Sequence, residues 1–190
     1  MPKNMSKQRK QMMKVFGAKI IEVGDNDFKG AILLRDQMIK KSRRYNRLIK
    51  IWCPKQFEND LNTNCHFLTT APEICNQVSE INLRWDVFVH GAGTGGTMMG
   101  IKKYIDYNNL GVKCVLTMPA ESAEEHGIQG INDGADFLLK RSMMDNFVSV
   151  KTEEAINRMN MFAKESGILV GISSGANIIA AETYLKIYKP

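Results

Sequence analysis

Gly91-Ala92-Gly93-Thr94-Gly95-Gly96-Thr97 is the stretch of this sequence best suited to chemistry. It follows the largely apolar run Trp85-Asp86-Val87-Phe88-Val89. After it, Met98, Met99, Ile101, Tyr104 and Ile105 recur at helical spacing. The expectation is a strand, a glycine turn and a helix. Glycines let the amide N–H groups of such a turn converge on one point, and the helix that follows adds the positive end of its dipole. That arrangement suits a phosphate group. The stretch also satisfies G-x-G-x-x-G, which taken alone is a weak sign of a dinucleotide. A dinucleotide site also wants an acidic residue about 20 positions on, at a strand end. Asp106 falls inside the expected helix and Glu121 comes late, so NAD is a poor fit.

The elements that must position this turn alternate along the chain. Ser6 to Phe16 reads as a helix, with Ser6 as N-cap and Gly17 as its stop. Lys19 to Val23 reads as a strand, Phe28 to Lys41 as a second helix and Leu48 to Trp52 as a second strand. An irregular connection from Cys53 to Asn64 precedes a helix from Thr70 to Ser79, with Pro72 in its first turn. Beyond the glycine turn come a strand Lys113–Thr117, a loop Pro119–Asp136, a strand Phe147–Val150 and a helix Thr152–Ser166. The apolar Ile168-Leu169-Val170 then leads into a second Gly/Ser turn, Gly171-Ile172-Ser173-Ser174-Gly175, which opens a last helix from Ala176. Strands alternating with helices predict an α/β fold on a mainly parallel sheet.

Composition excludes several classes. The chain has 190 residues, 44% of them hydrophobic and 24% charged, which is ordinary for a globular protein able to bury a core. No apolar run approaches the ~20 residues that cross a bilayer. The basic N-terminus lacks the apolar core of a signal peptide, so a cytoplasmic location is expected. The net charge of +6 is concentrated in Lys40-Lys41-Ser42-Arg43-Arg44, Arg47 and Lys50. This cluster could contact a nucleic-acid backbone, but without interleaved aromatics it reads better as the cationic end of a helix. Cys53, Cys65, Cys75 and Cys114 form no C-x-x-C pair, and His66, His90 and His126 are scattered, so reduced thiols and no metal site are expected.

Several separated stretches together resemble the cysteine synthase and cystathionine β-synthase family, the fold-type II enzymes that use pyridoxal 5′-phosphate. They are Met1-Pro2-x-x-Met5-Ser6-x-x-Arg9 with Gly17-Ala18, and Gln56-Phe57-x-Asn59-x-x-Asn62-x-x-x-His66-x-x-Thr69-Thr70-x-Pro72-Glu73-Ile74. Gly91 to Thr97 resembles the family's phosphate cup. His126-x-Ile128-Gln129-Gly130-Ile131 and Gly171-Ile172-Ser173-Ser174-Gly175-Ala176 resemble its later active-site loops. Order and spacing agree across nearly the whole chain.

The resemblance implies a partial parallel three-layer αβα sandwich of the tryptophan synthase β type. Residues 1–52 would be the trailing half of a small mobile domain and residues 53–190 most of a large cofactor-binding domain. It also implies roles. Gly93, Thr94, Gly95, Gly96 and Thr97 would hold the phosphate of pyridoxal 5′-phosphate, Gly130 would line the cofactor pocket, and Gln56 would help bind the carboxylate of an amino-acid substrate. The implied activity is replacement of the acetate of O-acetylserine by sulfide in cysteine biosynthesis, by a homodimer or by association with a synthase or a complementing half.

Parts of the family pattern do not occur in this sequence. There is no N-P-x-x-S-x-K-D-R-like motif carrying the lysine that anchors the cofactor, no S-G-N-T-G-like loop and no P-S-S-G-E-R-Y-like segment. No catalytic residue is therefore assigned, and the resemblance implies a chain that is incomplete or inactive alone. The family's G-I-G-A-G-F loop is here Gly130-Ile131-Asn132-Asp133-Gly134-Ala135, with added bulk and a carboxylate, and the Pro119–His126 segment is shorter than usual. The alternative is a non-catalytic binding or regulatory protein that associates with a full-length synthase or a complementing half.

Overall fold

Among the described residues, three parallel strands in the order β1-β2-β3 make the sheet: β1 (Val87–Gly91), β2 (Lys113–Pro119) and β3 (Asn146–Val150). In register, Val89 lies opposite Val115 and Leu116 opposite Phe147. The structure is a computed structural model that describes residues 1–45, 51–123, 125–131 and 135–188. Tertiary packing divides the chain into two units, Met1–Pro54 and Lys55–Pro190.

The second unit holds the sheet. Its helices are α3 (Asp60–Leu68), α4 (Thr70–Glu80), α5 (Gly96–Tyr107), α6 (Thr152–Ser166) and α7 (Ile172–Tyr188). Successive residues of a strand face opposite ways, and each face meets its own helices. Phe88, Cys114 and Leu116 pack with Ala71 of α4 and with Met98, Met99, Ile101 and Ile105 of α5. Val89, Val148 and Val150 pack with Ala155 of α6 and with Ala176 and Ala180 of α7. The result is helix, sheet and helix in three layers. The β2–β3 connection carries a short 3-10 turn, Arg141–Met143, as its only regular element among the described residues.

The first unit comprises α1 (Lys7–Val15), α2 (Phe28–Tyr45) and the segment between them. Ser6 occupies the N-cap position of α1 without a side-chain capping bond, and Gly17 stops the helix at φ +77°. The expected strand Lys19–Val23 is not formed. Its ladder reduces to a parallel bridge between Pro2 and Val23, with the Val23 amide donating to the Met1 carbonyl at 3.0 Å. A β-rich segment without a partner along its length has nothing to pair with. The expected strand Leu48–Trp52 lies mostly on residues 48–50, outside the described ones, as do Arg47 and Lys50 of the basic cluster. Lys40 to Arg44 fall in the last turns of α2, which runs past the expected end.

Two further expectations need correction. The Cys53–Asn64 connection is not irregular throughout, because α3 begins at Asp60. Asn59 caps it, its Oδ1 accepting from the Leu61 amide at 3.1 Å. And α7 starts at Ile172 rather than Ala176, so the second Gly/Ser stretch is helix and not turn. No described helix is long and apolar enough to cross a membrane.

Candidate active site

The turn between β1 and α5 is built by crowding. Gly95 caps α5 in the left-handed region at φ +86°, where side chains other than glycine are strained. A Cβ there would also sit 2.8 Å from Leu139 Cα, on the β2–β3 connection. At Gly93 it would meet the Gly130 carbonyl oxygen at 2.6 Å, and at Gly96 it would collide with the Asn62 side chain. The turn is further fixed by the Leu138 amide, which donates to Thr94 O at 3.0 Å.

The start of α5 keeps amides outside the helical ladder. The first helical bond of α5 runs from the Met99 amide to Gly95 O at 2.9 Å, so the amides of Gly96, Thr97 and Met98 precede the helical ladder. The Gly96 amide donates to Thr94 Oγ1 at 3.2 Å. No acidic residue stands in the first turn of α5, so nothing there opposes the dipole. The turn lies at the carboxyl end of β1, where open parallel sheets place their ligands.

Helix α3 supports the turn from one side. Asn62, Thr63, His66 and Phe67 fall on one of its faces by i, i+3 and i, i+4 spacing. Gly100 lets that face approach α5, since a Cβ there would lie 2.5 Å from Thr63 O and 2.6 Å from His66 Cβ. Phe67 meets Tyr104 and Tyr107 of α5 edge-on at 5.8 and 5.9 Å between centroids. Asn62 Nδ2 donates to Thr94 Oγ1 at 3.1 Å and to the Gln56 carbonyl at 2.8 Å. His66 Nε2 lies 3.1 Å from Thr97 Oγ1, and Nδ1 lies 2.8 Å from Thr70 Oγ1. The ring of Phe57, next to Gln56, packs on Phe137 in a tilted pair, 4.5 Å between centroids.

Gly93, Thr94, Gly95, Gly96 and Thr97 thus form one cup, with Gly130 against its Gly93 edge. The exposed Gln56 is tied to it through the amide of Asn62. Of the loop that follows Gly130, residues 132–134 lie outside those described. Burial, with a smaller contribution from the charge of His66, holds His90 down at about 4, so it is neutral near pH 7. Burial pushes the Cys114 thiol up to about 12, which removes it as a nucleophile. All four cysteines are free, and the described residues hold no cluster of three metal-ligating side chains.

A family model described as pyridoxal-phosphate dependent enzyme matches residues 1–189. The chain belongs to the pyridoxal-phosphate dependent enzyme family. It is 38% identical to a cysteine synthase of Buchnera aphidicola subsp. Schizaphis graminum, over 100% of this chain and 61% of the relative. It is 35% identical to a cysteine synthase of Staphylococcus aureus (strain Mu50 / ATCC 700699), over 95% of this chain and 58% of the relative. Among solved structures, a hydrogen sulfide-producing enzyme from Fusobacterium nucleatum superposes with a TM-score of 0.83 at 37% identity, covering 98% of this chain and 57% of that one. A mutant of that enzyme gives 0.89 at 36% identity, covering 99% and 58%. The chain therefore spans about three-fifths of the length of the curated relatives it matches.

The fold is that of the pyridoxal-phosphate dependent enzymes, and the residues at the cup fit the cofactor's phosphate. Glycines stand where a Cβ would strike the neighbours that close the turn, the amides of Thr97 and Met98 precede the helical ladder, and the first turn of α5 carries no carboxylate. Asn62 and His66 are the site members to which sequence reasoning gave no role, although both stand in the stretch from Gln56 to Ile74. Their spacing of four places them on one helical face but does not name their partners.

Proposed function

We propose that this chain supplies the phosphate cup and the substrate-carboxylate side of a cysteine synthase-like site. The observation that carries the reading is that Asn62 joins the Gln56 backbone to Thr94 of the cup, so cofactor and substrate elements meet on one side chain. In this reading Gly93 to Thr97 hold the phosphate through amides and the two hydroxyls, Gly130 lies against the cofactor, and Gln56 binds the substrate carboxylate. Pyridoxal 5′-phosphate, when bound, supplies an electron sink for charge developing at the amino acid's α-carbon. The protein's part is to fix the phosphate at the helix start, orient the substrate carboxylate and close the back of the cup with Leu139.

The reaction proposed is replacement of the acetate of O-acetylserine by sulfide, completed by a lysine-bearing segment from outside these 190 residues. We place residues 1–52 in a small mobile domain and residues 53–190 in the large cofactor domain. The working form is a cytoplasmic dimer or an association with a synthase or a complementing half, which would cover exposed apolar side chains such as Ile168 and Leu169. Cysteine synthases among the relatives support this reading.

The test is a titration of the purified chain with pyridoxal 5′-phosphate, followed by ³¹P resonance and absorbance, with and without a lysine-bearing segment taken from a cysteine synthase. Expected are a shifted phosphate resonance with the chain alone, a borohydride-fixed absorbance band only with the added segment, and cysteine formed from O-acetylserine and sulfide in that mixture. An unshifted resonance in both samples overturns the reading.

A further inference from the structure

His66 is held at both ring nitrogens by threonines of two different helices. Thr70 Oγ1, at the start of α4, lies 2.8 Å from Nδ1, and Thr97 Oγ1, in the first turn of α5, lies 3.1 Å from Nε2. A neutral imidazole offers one donor and one acceptor, so this line of groups can be polarised in only two ways. In one, Nδ1–H donates to Thr70 and the Thr97 hydroxyl spends its single proton on Nε2. Thr97 then presents only lone pairs to the cup. In the other, the Thr70 hydroxyl donates to Nδ1, Nε2–H donates to Thr97 Oγ1, and the Thr97 proton is free to reach an acceptor at the cup.

The geometry points to His66 as a positioning residue: in its Nε2–H tautomer, set by the Thr70 hydroxyl, it aims the proton of Thr97 at an anionic phosphate. The assignment rests on reading the cup as a phosphate site. The neighbouring hydroxyl shows the same polarity already enforced. Thr94 Oγ1 accepts from Asn62 Nδ2 at 3.1 Å and from the Gly96 amide at 3.2 Å. Both of those groups can only donate, so the Thr94 proton is left over for a ligand. Asn62 and His66 stand four residues apart on α3 and reach the two cup threonines in parallel. An amide NH₂ is a donor by nature, whereas histidine becomes one at Nε2 only if something accepts the other role at Nδ1. Thr70 fills that role from outside the cup. Changing polarity moves one imidazole proton from Nδ1 to Nε2 by exchange with solvent and leaves the charge unchanged.

The experiment uses the full chain labelled with ¹⁵N-histidine, with inorganic phosphate and then pyridoxal 5′-phosphate as probes. Long-range ¹H–¹⁵N spectra distinguish the two tautomers, His66→Gln identifies the His66 signals, and ³¹P line shifts report binding independently. Expected is a bound state with His66 protonated at Nε2. Thr70→Val should weaken phosphate binding about three- to tenfold, the weight of one neutral hydrogen bond, with Thr70→Ser restoring it at unchanged melting temperature. Binding with His66 protonated at Nδ1, or undiminished binding in Thr70→Val, overturns the relay and leaves the cup reading intact. Failure of both probes to bind, with and without the lysine-bearing segment, overturns both.

Discussion

The chain contains two glycine-bearing stretches that follow apolar runs, one before a helix and one within the first turn of another, and they do different work. At Gly93 to Gly96, each missing Cβ is demanded by a neighbour that closes a concave turn: the Gly130 carbonyl, Leu139 and Asn62. At Gly171 to Gly175 the helix has already begun. Gly175 is small because α7 packs there on α6, where a Cβ would overlap the Ala155 carbonyl and lie 2.9 Å from the Met159 nitrogen. Gly171 meets nothing closer than Ser173 Oγ at 3.9 Å. Both stretches hold more than one glycine and follow an apolar run. What separates a concave turn from a helix crossing is the left-handed Gly95 and the elements brought against it from elsewhere in the chain.

The contrast can be broken most severely at Gly95. Gly95→Ala must enter the left-handed region, at about 1–2 kcal/mol, and overlaps Leu139, adding about 1–3 kcal/mol. Urea unfolding should show the loss of stability, and affinity for pyridoxal 5′-phosphate should fall at least about tenfold. An unchanged affinity would place the anion elsewhere.

A pH titration probes the strand leading into the cup. Unfolded, His90 titrates near 6.5, while in the folded protein it stays neutral down to about 4. Between those values the unfolded state binds more protons, so stability should fall as the pH drops from 7 to 4, by up to about 3 kcal/mol. His90→Gln should flatten that slope in chemical denaturation measured across the range. Gly175→Ala should leave the slope unchanged.

At the second stretch, Gly175→Ala should cost about 1–3 kcal/mol through overpacking between α6 and α7. The folded fraction should still bind the cofactor within about twofold, a gap under the energy of one hydrogen bond. Equal loss of affinity at Gly95 and Gly175 would erase the distinction between the two stretches. The smallest effect is expected from Asn62→Ala, about 1 kcal/mol for its hydrogen bonds to Gln56 and Thr94. Crystallography or amide exchange should show the Gln56 segment loosened from the cup.

Legibility in the sequence followed locality. The strand–turn–helix from Trp85 to Ile105 was readable because an apolar run, glycines and a helical period adjoin one another. Helix α3 was not, since Asp-Leu-Asn-Thr-Asn-Cys-His-Phe-Leu has little apolar periodicity and forms by packing on α5. Asn59 followed by Asp60 was the trace it left. Lys19–Val23 has strand composition, yet a strand is a pairing and only Val23 finds a bridge. The Ser-Ser-Gly of α7 reads as turn by propensity, and contact with α6 overrides it. At the site, the glycines and threonines of the β1–α5 turn adjoin one another in the chain, so one motif brings them together. The roles of Asn62 and His66 depend on partners some thirty residues away, and no local pattern carries that.

The back wall of the cup arrives late. The bond from the Met99 amide to Gly95 O closes within one helical turn, on the submicrosecond scale of helix formation. Leu138 and Leu139 come only after the whole of β2 has been made, and their loop must close before Gly95 is enclosed. During synthesis, strand, turn and first helix leave the ribosome well ahead of the residues that give the turn its shape. In pulse-labelled refolding, the Leu138 amide should gain protection after those of α5, marking the moment at which a flexible glycine loop becomes a rigid receptor.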